Sequence, residues 1–148
     1  MSQRRPNFFD GHPATFTATR DQGRSRAYCE HVDDGDSYDF WIDVGFGEYE
    51  WRTIRLRGFD TPETRKRAGI TAAEISHGIA ARERVRALIE MQPLLIRSFI
   101  NLADKEDMTL SRYEADVWYW VGGWKLLRET LRDEGFAKRT DYPPDLMP

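Results

Sequence analysis

The sequence predicts a mainly β domain of the α+β class: a five-stranded β-barrel with one helix between its third and fourth strands and a second helix at its end. Three observations predict it. Alternating apolar and polar residues recur in short runs, two other segments have the 3.6-residue period of an amphipathic helix, and glycine or proline separates these segments. The 148 residues are about the length of one domain and are enough to bury a core.

The first three runs predict a meander of three antiparallel strands. Residues 26–32 and 37–44 flank an Asp-Gly pair, which is a strong hairpin signal, and a glycine-rich turn then leads into residues 49–57. In this third run Ile54 and Leu56 alternate with polar residues, so one face of the strand is expected to line the core.

The second half of the chain predicts two helices and two more strands. Residues 72–91 carry an apolar stripe at helical spacing and are followed by Pro93, which stops a helix. Strands are predicted at 94–100 and 112–121, and a last helix at 124–134, whose stripe consists of Trp124, Leu127 and Leu131. The order βββ-α-ββ-α is that of an OB-fold, a partly open five-stranded Greek-key barrel.

Composition and charge narrow the function classes. The formal net charge of −3 excludes a generally basic nucleic-acid coat, although not a local basic site. The single cysteine, Cys29, excludes an intrachain disulfide and a cysteine-based zinc site. No apolar run approaches the roughly 20 residues of a membrane span, and no signal peptide is recognisable, so we expect a cytoplasmic protein without a membrane partner.

The domain boundaries follow from the same patterns. Residues 1–24 are polar, show no sustained period and are predicted to form an N-terminal arm or extension. Residues 25–142 contain all the predicted strands and helices, and residues 143–148 are predicted to be a short C-terminal tail.

An acidic cluster lies in the turn of the first predicted hairpin, with Asp33, Asp34 and Asp36 within four positions. The simplest interpretation is a hairpin turn with solvated carboxylates. The alternative is a metal site, because neighbouring carboxylates repel one another unless a cation is shared, and Ca²⁺ takes 6–8 oxygen ligands. Both interpretations remain open on this segment alone.

A second acidic segment, Asp60-Thr61-Pro62-Glu63, follows the third strand. One interpretation is a helix N-terminus, with Asp60 as the cap and Glu63 completing a capping box. The other makes Asp60 a second metal ligand and Glu63 a base that deprotonates water.

Between these two segments the local charge is inverted. Residues 52–67 contain six basic and two acidic side chains in a chain that is acidic overall. Arg55 lies on the strand face opposite Ile54 and Leu56. It is therefore either an ordinary solvated side chain or a guanidinium that can bind a phosphate in bidentate fashion.

Together these residues resemble the staphylococcal nuclease (thermonuclease) family. The matching pieces occur in the order of the family over about residues 26–142, and they are Asp34-Gly35-Asp36-Ser37, residues 55–64, residues 111–117 and residues 131–138. The Asp-Thr-Pro-Glu-Thr piece with an arginine five residues upstream is the specific one. The third piece departs from the family at Ser111, where a glycine is usual.

The resemblance implies a calcium-dependent nuclease that hydrolyses DNA, RNA or both at the P–O5′ bond and leaves 3′-phosphate ends. The Ca²⁺ ligands that it implies are Asp36, Asp60 and the backbone carbonyl of Thr61. The catalytic residues that it implies are Glu63, as the general base or the residue that orders the attacking water, and Arg55 and Arg112, as the groups that bind the phosphate and stabilise the transition state.

Nucleotide recognition departs from the family pattern. Thr109 and Leu110 stand where the family often has lysine and tyrosine, and Asp141 stands where a tyrosine is expected. The remaining candidates for nucleic-acid binding are Arg57, Tyr113 and Tyr142. An OB-type groove with aromatic residues favours stackable bases, so we expect single-stranded DNA or RNA to be the preferred substrate.

A second function class is a binding module that holds nucleic acid or a protein partner in the same barrel without cleaving it. Scaffold relatives in the family typically lose several catalytic positions. The five residues retained here, Asp36, Arg55, Asp60, Glu63 and Arg112, therefore favour an active enzyme.

Overall fold

A computed structural model of the chain describes residues 20–99 and 113–146. Within these ranges the elements are β1 (Arg20–Asp21), β2 (Arg24–Asp34), β3 (Ser37–Gly45), β4 (Glu48–Leu56), α1 (Ala72–Ile89), β5 (Pro93–Phe99), β6 (Tyr113–Trp120), β7 (Trp124–Leu126) and α2 (Leu127–Asp133).

Five of the strands, β2 to β6, form a closed barrel. The hydrogen-bonded order is β1-β2-β3-β4-β6-β5, and an additional pairing between β2 and β5 closes the ring. The β4–β6 pair is parallel and the other pairs are antiparallel, so the barrel is mixed. The predicted mainly β fold, a five-stranded barrel with two helices in OB-fold order, is confirmed.

The interior of the barrel is filled by alternate residues of each strand and by one face of each helix. In β2 the inward residues Cys29 and Val32 are three positions apart, which strict alternation does not allow. A register shift between Cys29 and His31 resets the alternation, as a β-bulge does. Burial raises the pKa of the Cys29 thiol, which is an inert core group here.

The helices add apolar side chains to the same core. Val85 and Ile89 of α1 and Leu127 and Leu131 of α2 are fully buried in it. Within the described part of the chain, neither helix has the length and apolar character that a membrane crossing requires.

The predicted start of the last helix is wrong. Trp124 belongs to β7, which pairs with the end of β6 across a tight turn, and α2 begins only at Leu127. Gly122 adopts a φ of 63° in this turn, a conformation that favours glycine. The rings of Trp120 and Trp124 then meet edge to face at 5.3 Å, a cross-strand contact that helical spacing does not reveal.

Other boundaries differ less. The first predicted helix ends at Ile89 rather than at residue 91, and the C-cap residue Glu90 is extended. Residues 20 and 21, at the end of the predicted arm, pair with β2. The rest of that arm, residues 1–19, lies outside the described residues, as do Ile100 and Arg112 at the ends of two predicted strands.

Candidate active site

A cleft of about 400 Å³ opens beside the β2–β3 hairpin, the end of β4 and the loop that follows β4. The residues that line it are Asp33, Asp34, Asp36, Ser37, Thr53, Arg55, Thr61, Pro62, Glu63, Arg65 and Arg67. Four of the catalytic and metal-binding residues predicted from the sequence, Asp36, Arg55, Thr61 and Glu63, are therefore brought together. Asp60 adjoins them through an ion pair with Arg55.

Strand register positions the first two of these side chains. Ser37 of β3 pairs with Arg55 of β4, so the acidic turn before Ser37 lies next to Arg55. The Leu56 N–H donates to the Asp36 carbonyl at 2.8 Å, and the buried Tyr38 hydroxyl donates to the Gly35 carbonyl. These bonds join the turn to the end of β4 and to the buried Tyr38.

Arg55 lies between two carboxylates from different segments. Its Nη2 donates to Asp60 Oδ1 at 2.6 Å and is 3.9 Å from Asp36 Oδ2. Burial lowers the pKa of Arg55, but the hydrogen bond to Asp60 and the charges of Asp36, Asp60 and Glu114 outweigh it, and the net pKa is raised. Arg55 is thus a charged guanidinium at the end of the cleft.

Asp36 is the more buried of the two carboxylates, with 15% of its side chain exposed against 66% for Asp60. Burial raises the pKa of Asp36, and the neighbouring charges of Asp34 and Asp60 raise it further. The N–H of Thr61, which donates to Asp36 Oδ2 at 3.1 Å, and the charge of Arg55 offset this only in part. The ionised form of Asp36 therefore lacks full compensation from the protein.

Thr61 is buried against the hairpin turn. A Cβ atom on Gly35 would lie only 2.8–3.0 Å from the Thr61 side chain, so glycine is required for this close approach. The Thr61 hydroxyl has no hydrogen-bond partner among the described residues. Two further contacts join the β2–β3 hairpin to the loop after β4. Thr64 Oγ1 donates to Asp34 Oδ1 at 2.6 Å, and Arg65 pairs with Asp33 at 3.4 Å.

The loop around Glu63 settles one of the alternatives left open by the sequence. No helix begins at Asp60: α1 starts at Ala72, and its N-cap is Thr71, whose hydroxyl accepts a hydrogen bond from the Glu74 N–H. The capping-box interpretation of residues 60–63 is therefore wrong. Glu63 lies instead in the loop before α1, where it lines the cleft and keeps about one third of its side chain exposed.

The donor chemistry of the cleft fits a hard divalent cation such as Ca²⁺. Four carboxylates line it against three guanidinium groups, and burial raises the pKa of one of the carboxylates, the partly buried Asp36. In the described ranges no group of three or more His, Cys, Asp and Glu side chains is arranged to hold a metal. The set implied by the resemblance contains only two such side chains and a carbonyl, and hard oxygen ligands of this kind suit Ca²⁺.

The three candidates for nucleic-acid binding do not line the cleft. Arg57 pairs with Asp116 at 3.5 Å and stacks on the ring of Phe99 at 3.7 Å. The guanidinium of Arg52 lies over one face of the Tyr113 ring, with 5.4 Å from the guanidinium carbon to the ring centroid, and Tyr113 remains exposed.

Tyr142 contacts α1 through His77. Its hydroxyl meets His77 Nδ1 at 2.7 Å, and the N–H of Arg139 donates to it at 3.2 Å. Asp141 pairs with Arg139 at 2.8 Å. Arg112, Thr109, Leu110 and Ser111 lie outside the described residues.

Arg65 and Arg67 also line the cleft, and the only sequence signal for them is the local excess of basic residues in that segment. The contacts of Glu63 with Glu74 and Lys138 are likewise not predictable from the sequence, because they depend on how the loop packs on α1 and on the segment after α2. Comparison of the chain with models of known protein families and with curated proteins finds no match.

Proposed function

We propose that this protein is a calcium-dependent nuclease that hydrolyses phosphodiester bonds of DNA or RNA. The observation that carries the proposal is the cleft itself, in which Asp36, Arg55 and Glu63 come together from a hairpin, a strand end and a loop. A carboxylate beside a guanidinium suits hydrolysis of a phosphodiester, because water must lose a proton while negative charge develops on the phosphoryl oxygens.

In the proposed reaction the Glu63 carboxylate accepts a proton from water as the water oxygen forms a bond to phosphorus. The P–O5′ bond breaks, the 5′-oxygen takes up a proton from solvent, and a 3′-phosphate end and a 5′-hydroxyl end result. Arg55 stabilises the charge of the five-coordinate transition state through its planar donors, and Arg112 is proposed to do the same.

Asp36, Asp60 and the Thr61 carbonyl would hold Ca²⁺, which when bound polarises the phosphoryl oxygen and offsets the acidic excess of the cleft. The Asp60 carboxylate that pairs with Arg55 is largely exposed, so the guanidinium can exchange it for a phosphate with little loss of free energy.

The proposal is tested with end-labelled single-stranded and duplex oligonucleotides of DNA and RNA in Ca²⁺, in Mg²⁺ and in excess chelator. We expect cleavage in Ca²⁺, little in Mg²⁺, none in chelator, and faster cleavage of single strands. Glu63→Gln keeps the shape of the side chain but removes the base, so cleavage should fall by about 10²-fold or more.

The matched control is Glu129→Gln, an exposed glutamate in the first turn of α2, which should cleave like the wild type. Cleavage in excess chelator would contradict the metal assignment. Tight binding of the oligonucleotides without cleavage in any condition would instead favour the binding module.

A further inference from the structure

We infer that Lys138 is a positioning residue for Glu63, through which the segment after α2 controls the geometry of the cleft. The kinetic part of this inference rests on the proposed function, whereas the structural part does not. Lys138 lies 75 positions from Glu63 in the sequence, and it contacts the loop of Glu63 through both its main chain and its side chain.

The main chain of Lys138 binds the start of this loop. Its N–H donates to the Asp60 carbonyl at 2.9 Å. The side chain then extends along the loop, with Nζ 3.6 Å from Glu63 Oε1 and 3.5 Å from Glu74 Oε2. One residue thus contacts the exposed metal-ligand candidate, the candidate base and helix α1.

Glu74 binds the main chain of Glu63. It is buried in the first turn of α1, with 5% of the residue exposed, and its Oε2 accepts the Glu63 N–H at 3.0 Å. A buried carboxylate needs hydrogen bonds or an opposite charge to be tolerated, and here Glu63 N–H and Lys138 supply them. Glu74 therefore holds the main chain of Glu63, while Lys138 faces its side chain.

Gly78 allows the loop to lie directly on the helix. A Cβ atom at this position would be 2.2 Å from the Glu63 carbonyl oxygen and 2.6 Å from the Pro62 carbonyl oxygen. Both contacts are with backbone, which cannot move aside as a flexible side chain can. The loop therefore packs directly against α1 at Gly78 and contacts Lys138 as well.

Among the described residues, Lys138 is the only cation at ion-pair distance from the Glu63 carboxylate. Without it the carboxylate is free to rotate in the open cleft. Because a misplacement of about 1 Å can reduce a rate by about 10²-fold, Lys138 is expected to act on the catalytic step rather than on substrate binding.

The kinetic test compares Lys138→Met, which keeps the length of the side chain without its charge, with Lys138→Arg, which restores the charge. We expect Lys138→Met to lower kcat by about 10-fold or more at an unchanged KM, and Lys138→Arg to recover most of the loss. Lys125→Met, an exposed lysine on β7, is the matched control and should leave both constants unchanged. An unchanged kcat, or a rise in KM with kcat unchanged, would overturn the inference.

The structural test does not need activity, so it separates failure of this inference from failure of the proposed function. Hydrogen exchange of the Glu63 amide reports its bond to Glu74. Lys138 also pairs with the Glu74 oxygen that accepts this N–H. We therefore expect faster exchange in Lys138→Met, slow exchange in Lys138→Arg, and fast exchange in Gly78→Ala, in which the loop is pushed off the helix. Exchange in Lys138→Met as slow as in the wild type would overturn the inference, even if the wild type proves to cleave no nucleic acid.

Discussion

At the scale of single residues, Asp36 combines a position in the candidate active site with a cost in stability. Its pKa in the folded protein is raised by burial and by the charges of Asp34 and Asp60. Between its ordinary pKa and this higher value the folded state binds more protons than the unfolded state. The free energy of unfolding therefore falls as the pH rises through that interval, and the loss persists at neutral pH.

Asp36→Asn is expected to raise the Tm of the metal-free protein at neutral pH and to abolish cleavage. The amide oxygen can still accept the Thr61 N–H, so the substitution removes the charge and not the hydrogen bond. Melts in excess chelator at several pH values measure the effect, which should vanish below the ordinary pKa of aspartate. Asp133→Asn, an exposed residue of α2, is the control. A lower Tm of Asp36→Asn at neutral pH would contradict the prediction.

The residues that the sequence places correctly in the cleft are those whose position depends on local pattern. Alternation in β3 and β4 determines which face Arg55 occupies, and the Asp-Gly turn determines where Asp36 projects. The seating of the Glu63 loop depends instead on Gly78 and Lys138, whose contacts with it are long-range. Nothing in their sequence neighbourhoods indicates a partner in that loop.

At the scale of elements, the C-terminal segment completes the N-terminus of α1. Asp145 Oδ1 accepts the Ala72 N–H at 2.6 Å, and Oδ2 lies 3.1 Å from Lys66 Nζ. The first N–H groups of a helix have no partner within the helix, so a carboxylate from elsewhere in the chain is favourable there. The hydrogen bond from Ala72 and the charge of Lys66 lower the pKa of Asp145.

Asp145→Ala is expected to lower the Tm modestly at neutral pH, since Asp145 is exposed and solvent screens its charge. Because the folded-state pKa is below the ordinary value, the contribution of Asp145 is present above the ordinary pKa and is lost as the pH falls through the folded value. The Tm difference should therefore disappear in acid. The Tm of Asp145→Asn, which keeps an acceptor for the Ala72 N–H, should lie between those of the wild type and Asp145→Ala. Identical melts of wild type and Asp145→Ala at neutral pH would show that this segment does not hold α1.

The elements were predictable where one period dominates a long segment, and not where two structures satisfy the same spacing. The apolar stripe of α1 is long enough to predict a helix from its spacing. The positions of Trp124, Leu127 and Leu131 fit one helix as well as a strand followed by a helix. Pairing of β7 with β6 decides in favour of the strand, and that pairing is tertiary. The bulge in β2 likewise depends on its pairing with β3, so the alternation of β2 alone does not predict it.

At the scale of the whole molecule, the barrel is closed by contacts between distant segments. The β2–β5 and β4–β6 pairings join strands separated by α1 and by the segment before β6. The helices then add to one common core rather than to separate layers. Loss of either kind of contact is therefore expected to affect the whole fold, including the cleft.

A chain ending at Gly123 tests this dependence, since it lacks β7, α2 and the segment with Lys138. It loses the fully buried Leu127 and Leu131, each worth roughly 1.5–3 kcal/mol by burial alone. It also loses Arg128, which lies 3.0 Å from the buried Asp116, and Glu134, which forms two hydrogen bonds with Arg84. Against a typical stability of about 5–15 kcal/mol, these losses should leave no cooperative thermal transition.

The milder variant Leu131→Ala separates the contribution of the core from that of the missing segment. Its free energy of unfolding should fall by about 2–5 kcal/mol. The thermal transition should stay cooperative, because only the contacts of one side chain are lost. Thermal melts followed by circular dichroism measure both proteins. If the chain ending at Gly123 melts cooperatively near the wild-type Tm, then the barrel of β2 to β6 is stable without α2, and the C-terminal segment acts only on the cleft.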